Sequence, residues 1–356
     1  MGRPQCLNQS PGFGNIPAPG TLPLDPLGAI LGEMASPPGA GKRSRSMSDG
    51  KKFRLVTRSD FDGLVCAVLL KQLDLIDDIK FVHPKDMQDG IIEIGPKDIT
   101  TNLPYVEGVH IAFDHHLSET IRVGKKENHI IEAEAPSAAR VVYNYYGGAK
   151  VFPASWDEMM AAVDQGDSAQ YSLEEILDPT GWTLLNYIMD ARTGLGRFRE
   201  FRVSNYQLMM DLIDYCRNHN IDEILALPDV KERTDIYFEH ADKFKEQIKR
   251  CSTVHKNLVV LDLRGEETIY AGNRFMIYAL YPETNISIHE LWGVKKQNTV
   301  FAIGKSIVNR SSKTNVGELC LKYGGGGHMN AGTCQVDNSV CDKALSDIIA
   351  KINADG

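Results

Sequence analysis

Phe53-Arg54-Leu55-Val56-Thr57-Arg58-Ser59-Asp60-Phe61-Asp62-Gly63 is the stretch on which the fold turns. Phe53 to Thr57 predicts a short strand. Polar residues follow at once, and Leu64 to Leu75 then reads as an apolar helix. A strand that passes through an acidic turn into an apolar helix is the opening of a β–α unit. The pattern recurs downstream. Ile79 to His83 and Val109 to Phe113 are predicted strands, the latter ending directly on Asp114-His115-His116. Pro136 to Tyr146 carries Ala138, Ala139, Val141, Val142 and Tyr145 and predicts a helix closed by Gly147-Gly148. Strands alternating with helices imply a parallel α/β sheet, whose ligands collect at the carboxyl ends of the strands. The acidic and histidine runs fall there.

Further along, a short helix starts at Trp156, and Trp182 to Asn218 reads as mainly helical. Asp229 to Cys251 is charged, with Ile236, Tyr237, Phe244 and Ile248 as a sparse apolar stripe, which suits a helix connecting two domains. Leu258 to Leu263, Arg274 to Tyr281, Asn285 to Ile288 and Thr299 to Ile303 read as strands, and a helix closes the chain near Cys341 to Ile352. The expected architecture is therefore α/β in two domains, the second smaller, with residues 51–225, 255–356 and a linker helix at 226–254. Residues 1–50 differ from the rest. They hold eight of the 16 prolines and no sustained periodicity, which predicts a disordered tail, or a segment upstream of a true start at Met34 or Met47.

With 356 residues the chain can bury two cores. Its net charge of -8 disfavours a long duplex-binding surface but admits small anions, since an aspartate-built site is acidic until metal binds. Seven scattered cysteines without a Cys-x-x-Cys pair argue against disulfides and for a reducing cytoplasm. No apolar run is long enough to span a membrane.

Four constellations carry the chemistry. Asp60 and Asp62 lie two apart in a turn, where both carboxylates can face neighbouring hard cations such as manganese or magnesium, and Gly63 gives the chain room to turn. Alone, that pattern is also an ordinary turn. Asp114-His115-His116 packs poorly without a metal or phosphate. Asp164 and Asp167 end a short helix, where a carboxylate could close a metal cage or simply cap the helix. Gly324 to Gly327 precede His328, and a run of exposed N–H groups beside a histidine suits an anion. Upstream, Arg310 stands where a strand ends and could clamp a phosphate.

Together, in this order and spacing, these motifs resemble the DHH phosphoesterase superfamily with its DHH-associated C-terminal domain, from about Lys51 to Gly356. The nanoRNase and cyclic-nucleotide phosphodiesterase branch, often labelled exopolyphosphatase-like, is the nearest in pattern. The resemblance implies a Rossmann-like N-terminal domain and two cations, Mn2+ or Mg2+, that activate water against a phosphate ester. The implied metal ligands are Asp60, Asp62, Asp114, His115 and Asp164, with Asp167 as second choice. A bridging aspartate precedes the Asp-His-His run in the family. Asp98 fits its order best and Asp86 is the fallback. Asp114, His115 and His116 are the implied catalytic trio, with His116 on the phosphate. Arg310, Gly325, Gly326, Gly327 and His328 are implied to hold substrate. The sequence departs from the family at one place: a histidine ligand common before the first aspartate is replaced, Val56 and Arg58 standing there, so occupancy of one cation site is in doubt and Arg58 becomes a candidate for substrate. The implied substrates are short oligonucleotides or cyclic nucleotides, with polyphosphate or pyrophosphate as the enzymatic alternative and a non-catalytic nucleotide-binding module as the other class. Tyr323 and Phe301 are available to stack on a base, and a homodimer is compatible with the pattern.

Overall fold

The structure is a computed structural model and describes residues 52–198 and 200–356. The expected tail at residues 1–50 lies outside them. The N-terminal half contains β1 (Phe53–Arg58), α1 (Phe61–Gln72), β2 (Ile76–Val82), α2 (Pro84–Gln88), β3 (Asp98–Thr101), β4 (Ile111–Asp114), α3 (Leu117–Val123), β5 (His129–Ile131) and α4 (Ala138–Tyr145). Its five strands are all parallel, in the order β2-β1-β3-β4-β5. The α1 helix is buried along Phe61 to Leu70, as expected for a segment that is apolar on every face. Asp60 caps it by accepting from the Gly63 N–H at 3.0 Å. A side chain at Gly63 would put its Cβ 2.0 Å from the Arg58 carbonyl oxygen, so only glycine lets this turn close.

Residues 98–101 form a strand that hydrophobic patterning does not announce. Asp98-Ile99-Thr100-Thr101 is buried throughout. It tolerates that burial partly because Thr101 Oγ1 donates to Thr57 Oγ1 at 2.6 Å, and Thr57 Oγ1 in turn donates to the Thr101 carbonyl at 3.2 Å.

Helices α5 (Asp157–Asp167), α6 (Leu173–Leu177), α7 (Gly181–Met189), α8 (Asn205–Asn218), α9 (Ile221–Ala226) and α10 (Pro228–Cys251) lead to a second sheet. Its strands are β6 (Ser252–His255), β7 (Leu258–Asp262), β8 (Ile286–Trp292), β9 (Asn298–Lys305), β10 (Gly326–His328) and β11 (Ala331–Asp337), ordered β10-β11-β9-β8-β7-β6. The α11 (Met276–Leu280), α12 (Val316–Leu321) and α13 (Cys341–Asp355) helices complete it. Arg274 to Tyr281, expected as a strand, is instead a helical turn. Just before it, Asn273 Oδ1 accepts from the Phe275 N–H while its Nδ2 donates to the Ile176 carbonyl and to Tyr237, so tertiary anchoring overrides a β-prone run.

The two sheets share apolar contacts. Leu258 and Val260 of β7 face the core under α12 and α13, whereas Val259 and Leu261 face a larger core that also holds Leu64, Met160 and Leu185. Strand alternation thus welds residues 51–356 into one compact unit. The charged α10 is also more than a connector. Its Arg233 is 1% exposed and donates to the carbonyls of Asp229 and Val203 and to Asn205. No helix of the described residues is long and apolar enough to cross a membrane.

Candidate metal and phosphate site

The carboxyl ends of β1, β3 and β4 bring the acidic turns together, with α5 closing from above. Asp62 is buried and accepts from the N–H groups of Ala138 and Ala139, at 3.0 and 2.7 Å, at the start of α4. His115 Nε2 lies 2.9 Å from Asp167 Oδ2, but not in line for a hydrogen bond. The other ring nitrogen, Nδ1, is 3.1 Å from the Ala135 carbonyl, which can only accept. Nδ1 therefore carries a proton, which leaves Nε2 as the ring atom that faces the carboxylates. Ligand atoms of Asp62, His115 and Asp167 all lie within 4.8 Å of one another. Asp60 adds a further carboxylate, paired with Arg58 at 2.8 Å.

The electrostatics are those of a crowded acidic cage. Burial raises the Asp62 carboxyl well above the usual range, and Asp167 and Asp60 push it further. Burial also raises Asp60, against the opposing charge of Arg58, and Asp167 adds to the rise. For His115 burial alone would lower the imidazole; Asp167 and Asp62 outweigh it and raise it. These groups repel or neutralise one another when alone and are compatible together around a cation. Hard carboxylate oxygens with one imidazole suit Mn2+ or Mg2+. Asp114, 1% exposed, orders the neighbouring loop: its Oδ1 accepts from the N–H groups of His115 and His116 and from His116 Nδ1 at 2.7 Å.

Several expected site residues stand elsewhere. Asp98 opens β3, at the amino end of a sheet whose acidic turns are at the carboxyl end, and it is held by Arg54 at 2.8 and 3.0 Å and by the Gly95 N–H at 2.7 Å. There it anchors the Arg54 guanidinium, and it is not among the residues whose ligand atoms converge. Asp86, in α2, is in neither ligand group among the described residues. Asp164 is turned to Ser137 Oγ at 2.7 Å and to the Arg140 guanidinium, whereas Asp167 faces His115. Of the two carboxylates on α5, the second choice is the one that converges.

The glycine run does not form an open cradle. The N–H groups of Gly324 and Gly325 close α12 by donating to the carbonyls of Leu321 and Cys320, and Gly326 to His328 pair with β11. Glycine is needed for closeness: a Cβ on Gly325 would lie 2.1 Å from the Thr333 carbonyl oxygen, and one on Gly327 2.3 Å from that of Ala331, with Gly327 also at φ 153°. His328, on β10, is near enough for charges around the cluster to act on it. Burial lowers its imidazole, and the charges of His116, Arg58 and Arg274 lower it further. Arg310 Nη2 donates to the Ala169 carbonyl at 2.8 Å, two residues beyond Asp167. Phe301 is fully buried in the second core and cannot stack on a base.

One residue of interest went unnoticed in the sequence because it does not ionise. Asn102 follows β3 between the carboxyl ends of β1 and β4, at φ 54°, and is 2% exposed. Its Oδ1 and Nδ2 have no hydrogen-bond partner among the described residues. A buried amide left unsatisfied costs free energy unless something outside the chain completes it. An open groove of about 780 Å3 nearby, lined by Asp164, Ser168, Thr180 and Trp182 among others, contains none of Asp62, His115 and Asp167, so volume does not mark this site.

Among solved structures, the chain is 64% identical to a pGpG-specific phosphodiesterase of Vibrio cholerae, PggH, with 86% of this chain and 100% of that chain covered and a TM-score of 0.76. The fold is also that of RecJ from Thermus thermophilus, solved with Mn2+, at 14% identity, 86% of this chain, 52% of that chain and a TM-score of 0.53. No protein-family model matches the chain, and no curated protein does.

Proposed function

The chain belongs to the DHH phosphoesterase superfamily, and from that premise we propose that it is a metal-dependent phosphodiesterase cleaving short oligonucleotides, pGpG foremost. The observation that carries the reading is the convergence of Asp62, His115 Nε2 and Asp167 within 4.8 Å at the carboxyl end of a parallel sheet. The substrate follows from the 64% identity to a pGpG-specific enzyme across the whole of that enzyme's chain.

Asp62, His115 and Asp167 would hold a first divalent cation, Mn2+ or Mg2+, and Asp60 and Asp114 would be the remaining carboxylates for a second. When bound, such a cation lowers the pKa of water and offsets the charge that grows on phosphoryl oxygens. The chain's own groups do the rest. The Ala135 carbonyl fixes the His115 tautomer, and the N–H groups of Ala138 and Ala139 fix the Asp62 carboxylate. Asp114 holds His116 by its Nδ1, leaving Nε2 to meet a phosphate oxygen. His328 on β10 and Arg310 in the turn after β9 contribute from the second half, so substrate is held between both halves. We assign residues 51–225 to the catalytic half, 226–254 to the linker helix and 255–356 to the substrate-binding half. Six free cysteines among the described residues accord with a cytoplasmic setting.

A panel of pGpG, cyclic dinucleotide, polyphosphate and pyrophosphate, each with Mn2+ and with EDTA, tests the assignment. Mn2+-dependent release of GMP from pGpG at the highest kcat/KM is the expected result. Preferential release of orthophosphate from polyphosphate or pyrophosphate would replace this reading by the phosphoanhydride one.

A further inference from the structure

This inference rests on the phosphodiesterase reading and adds a residue to its site. Asn102 follows β3 directly, and backbone pairing fixes its place. Thr101 pairs with Thr57 of β1 on one side and with Phe113 of β4 on the other. The Asn102 N–H then donates to the Phe113 carbonyl at 3.1 Å. Adjacent strands lie about 4.8 Å apart. Asn102 therefore stands between the end of β1, where the chain turns to Asp60 and Asp62, and the end of β4, where Asp114 leads into His115.

The backbone of Asn102 is bonded, but its side chain is not. The residue is 2% exposed, and both amide atoms are shielded from solvent without a partner among the described residues. The other buried asparagines are completed within the chain. Asn273 donates to the Ile176 carbonyl and to Tyr237 and accepts from the Phe275 N–H. Asn285 donates to Ser311 Oγ and accepts from Asn257 Nδ2. An amide buried without such partners is costly. Its φ of 54° favours asparagine over most residues, yet glycine would serve that backbone without burying an amide. The turn therefore explains the conformation and leaves the side chain unexplained.

The chemistry of the amide says what would complete it. A carboxylate only accepts, whereas an asparagine side chain accepts at Oδ1 and donates at Nδ2. Asp60, Asp62, Asp114 and Asp167 already supply carboxylates around these strand ends, and a further one would add repulsion. We propose that Asn102 Oδ1 is a neutral oxygen ligand for the divalent cation and that its Nδ2 donates to a phosphoryl oxygen of the scissile phosphodiester. One side chain then joins cation and phosphate without adding charge to an acidic cluster.

The test uses the full chain and the variants Asn102→Asp and Asn102→Gly. It reads Mn2+ affinity by calorimetry, KM for pGpG, and Tm in EDTA. Asn102→Asp keeps an oxygen and loses the donor. Mn2+ should bind about tenfold tighter while KM rises about tenfold, the size of one charge-assisted contact. Asn102→Gly keeps the left-handed backbone and loses both atoms. Mn2+ should bind about tenfold more weakly, KM should rise likewise, and Tm in EDTA should fall little, because no bond within the chain is lost. Circular dichroism confirms the fold, and the nearly isosteric Asn102→Asp carries the test if the glycine variant does not fold. Mn2+ affinity and KM that stay as in the wild type in both variants would overturn the inference and leave the amide to an ordinary buried water. A changed affinity with an unchanged KM would overturn the phosphate contact. A wild type that hydrolyses polyphosphate and leaves pGpG uncut would remove the phosphodiesterase reading, and the Mn2+ titrations would still decide the ligand.

Discussion

Asp167→Asn and Asp164→Ala should behave in opposite ways, although only three residues separate them on α5. Asp167 crowds Asp60 and Asp62, whose carboxyls burial and Asp167 together push upward. Asp167 also pairs with His115, which holds its own carboxyl below the usual range, so neutralising it trades relieved repulsion for a lost pair and the Tm in EDTA should change little. The substitution also removes a ligand. With Mn2+ at a hundredfold excess over Kd, the wild type gains about 2.7 kcal/mol, or about 4 °C for a chain of this size. That gain should vanish in Asp167→Asn. Asp164 instead accepts from Ser137 and Arg140, in a pair only 26% and 18% exposed. Truncating it strands a half-buried guanidinium and a hydroxyl, at a cost of about 2 kcal/mol, or about 3 °C of Tm. The Mn2+ gain should survive. Thermal melts in EDTA and across a Mn2+ titration read both quantities. A Mn2+ shift that persists in Asp167→Asn and disappears in Asp164→Ala would refute the assignment.

Asp98→Ala breaks the Arg54 pair at the opposite end of the sheet and should cost about 2 kcal/mol in urea unfolding, while Mn2+ affinity by calorimetry stays as in the wild type; weakened affinity would return Asp98 to the metal site. Asn102→Asp places a carboxylate at a buried, unpartnered position between Asp60 and Asp114. It should lower the metal-free Tm and tighten Mn2+ binding about tenfold or more, and unchanged affinity would show that Asn102 does not face the cation. For pH, burial lowers His289 to about 4 from its usual 6.5. The unfolded chain then binds this proton below 6.5 and the folded one only near 4, so the neutral ring's contribution is complete above 6.5 and is lost as pH falls between the two. The loss amounts to at most about 3 kcal/mol. Urea midpoints of His289→Gln should fall less over this range than those of the wild type, and parallel curves would contradict it.

The parts legible in the sequence were those written in apolar patterning or in unusual residue chemistry. The β1–α1 turn shows as an apolar strand running into Asp60 and Asp62, and Asp114-His115-His116 stands out because adjacent histidines need a reason. What stayed hidden depends on tertiary partners. Asp98-Ile99-Thr100-Thr101 becomes a buried strand in part through a threonine contact to Thr57, forty-four residues away, which no local pattern reveals. Asp164 and Asp167 end the same helix, and only the positions of Arg140 and His115 decide which one faces the cluster. Asn102 carries no charge, so nothing in the local sequence sets it apart; its burial and unpartnered amide do. Four glycines in a row suggested an open anion loop, yet the same residues are required wherever two backbones pack this closely, as β10 does on β11. Arg274 to Tyr281 read as a strand from its β-prone residues, and anchoring by Asn273 made it helical.

Anomalous diffraction from Mn2+-soaked crystals tests the central claim most directly. A peak should appear about 2.1 Å from an oxygen of Asp62, from His115 Nε2 and from an oxygen of Asp167, and be absent from Asp164 and Asp98. Density beside Asp164 or Asp98, or no peak at millimolar Mn2+, would contradict the account.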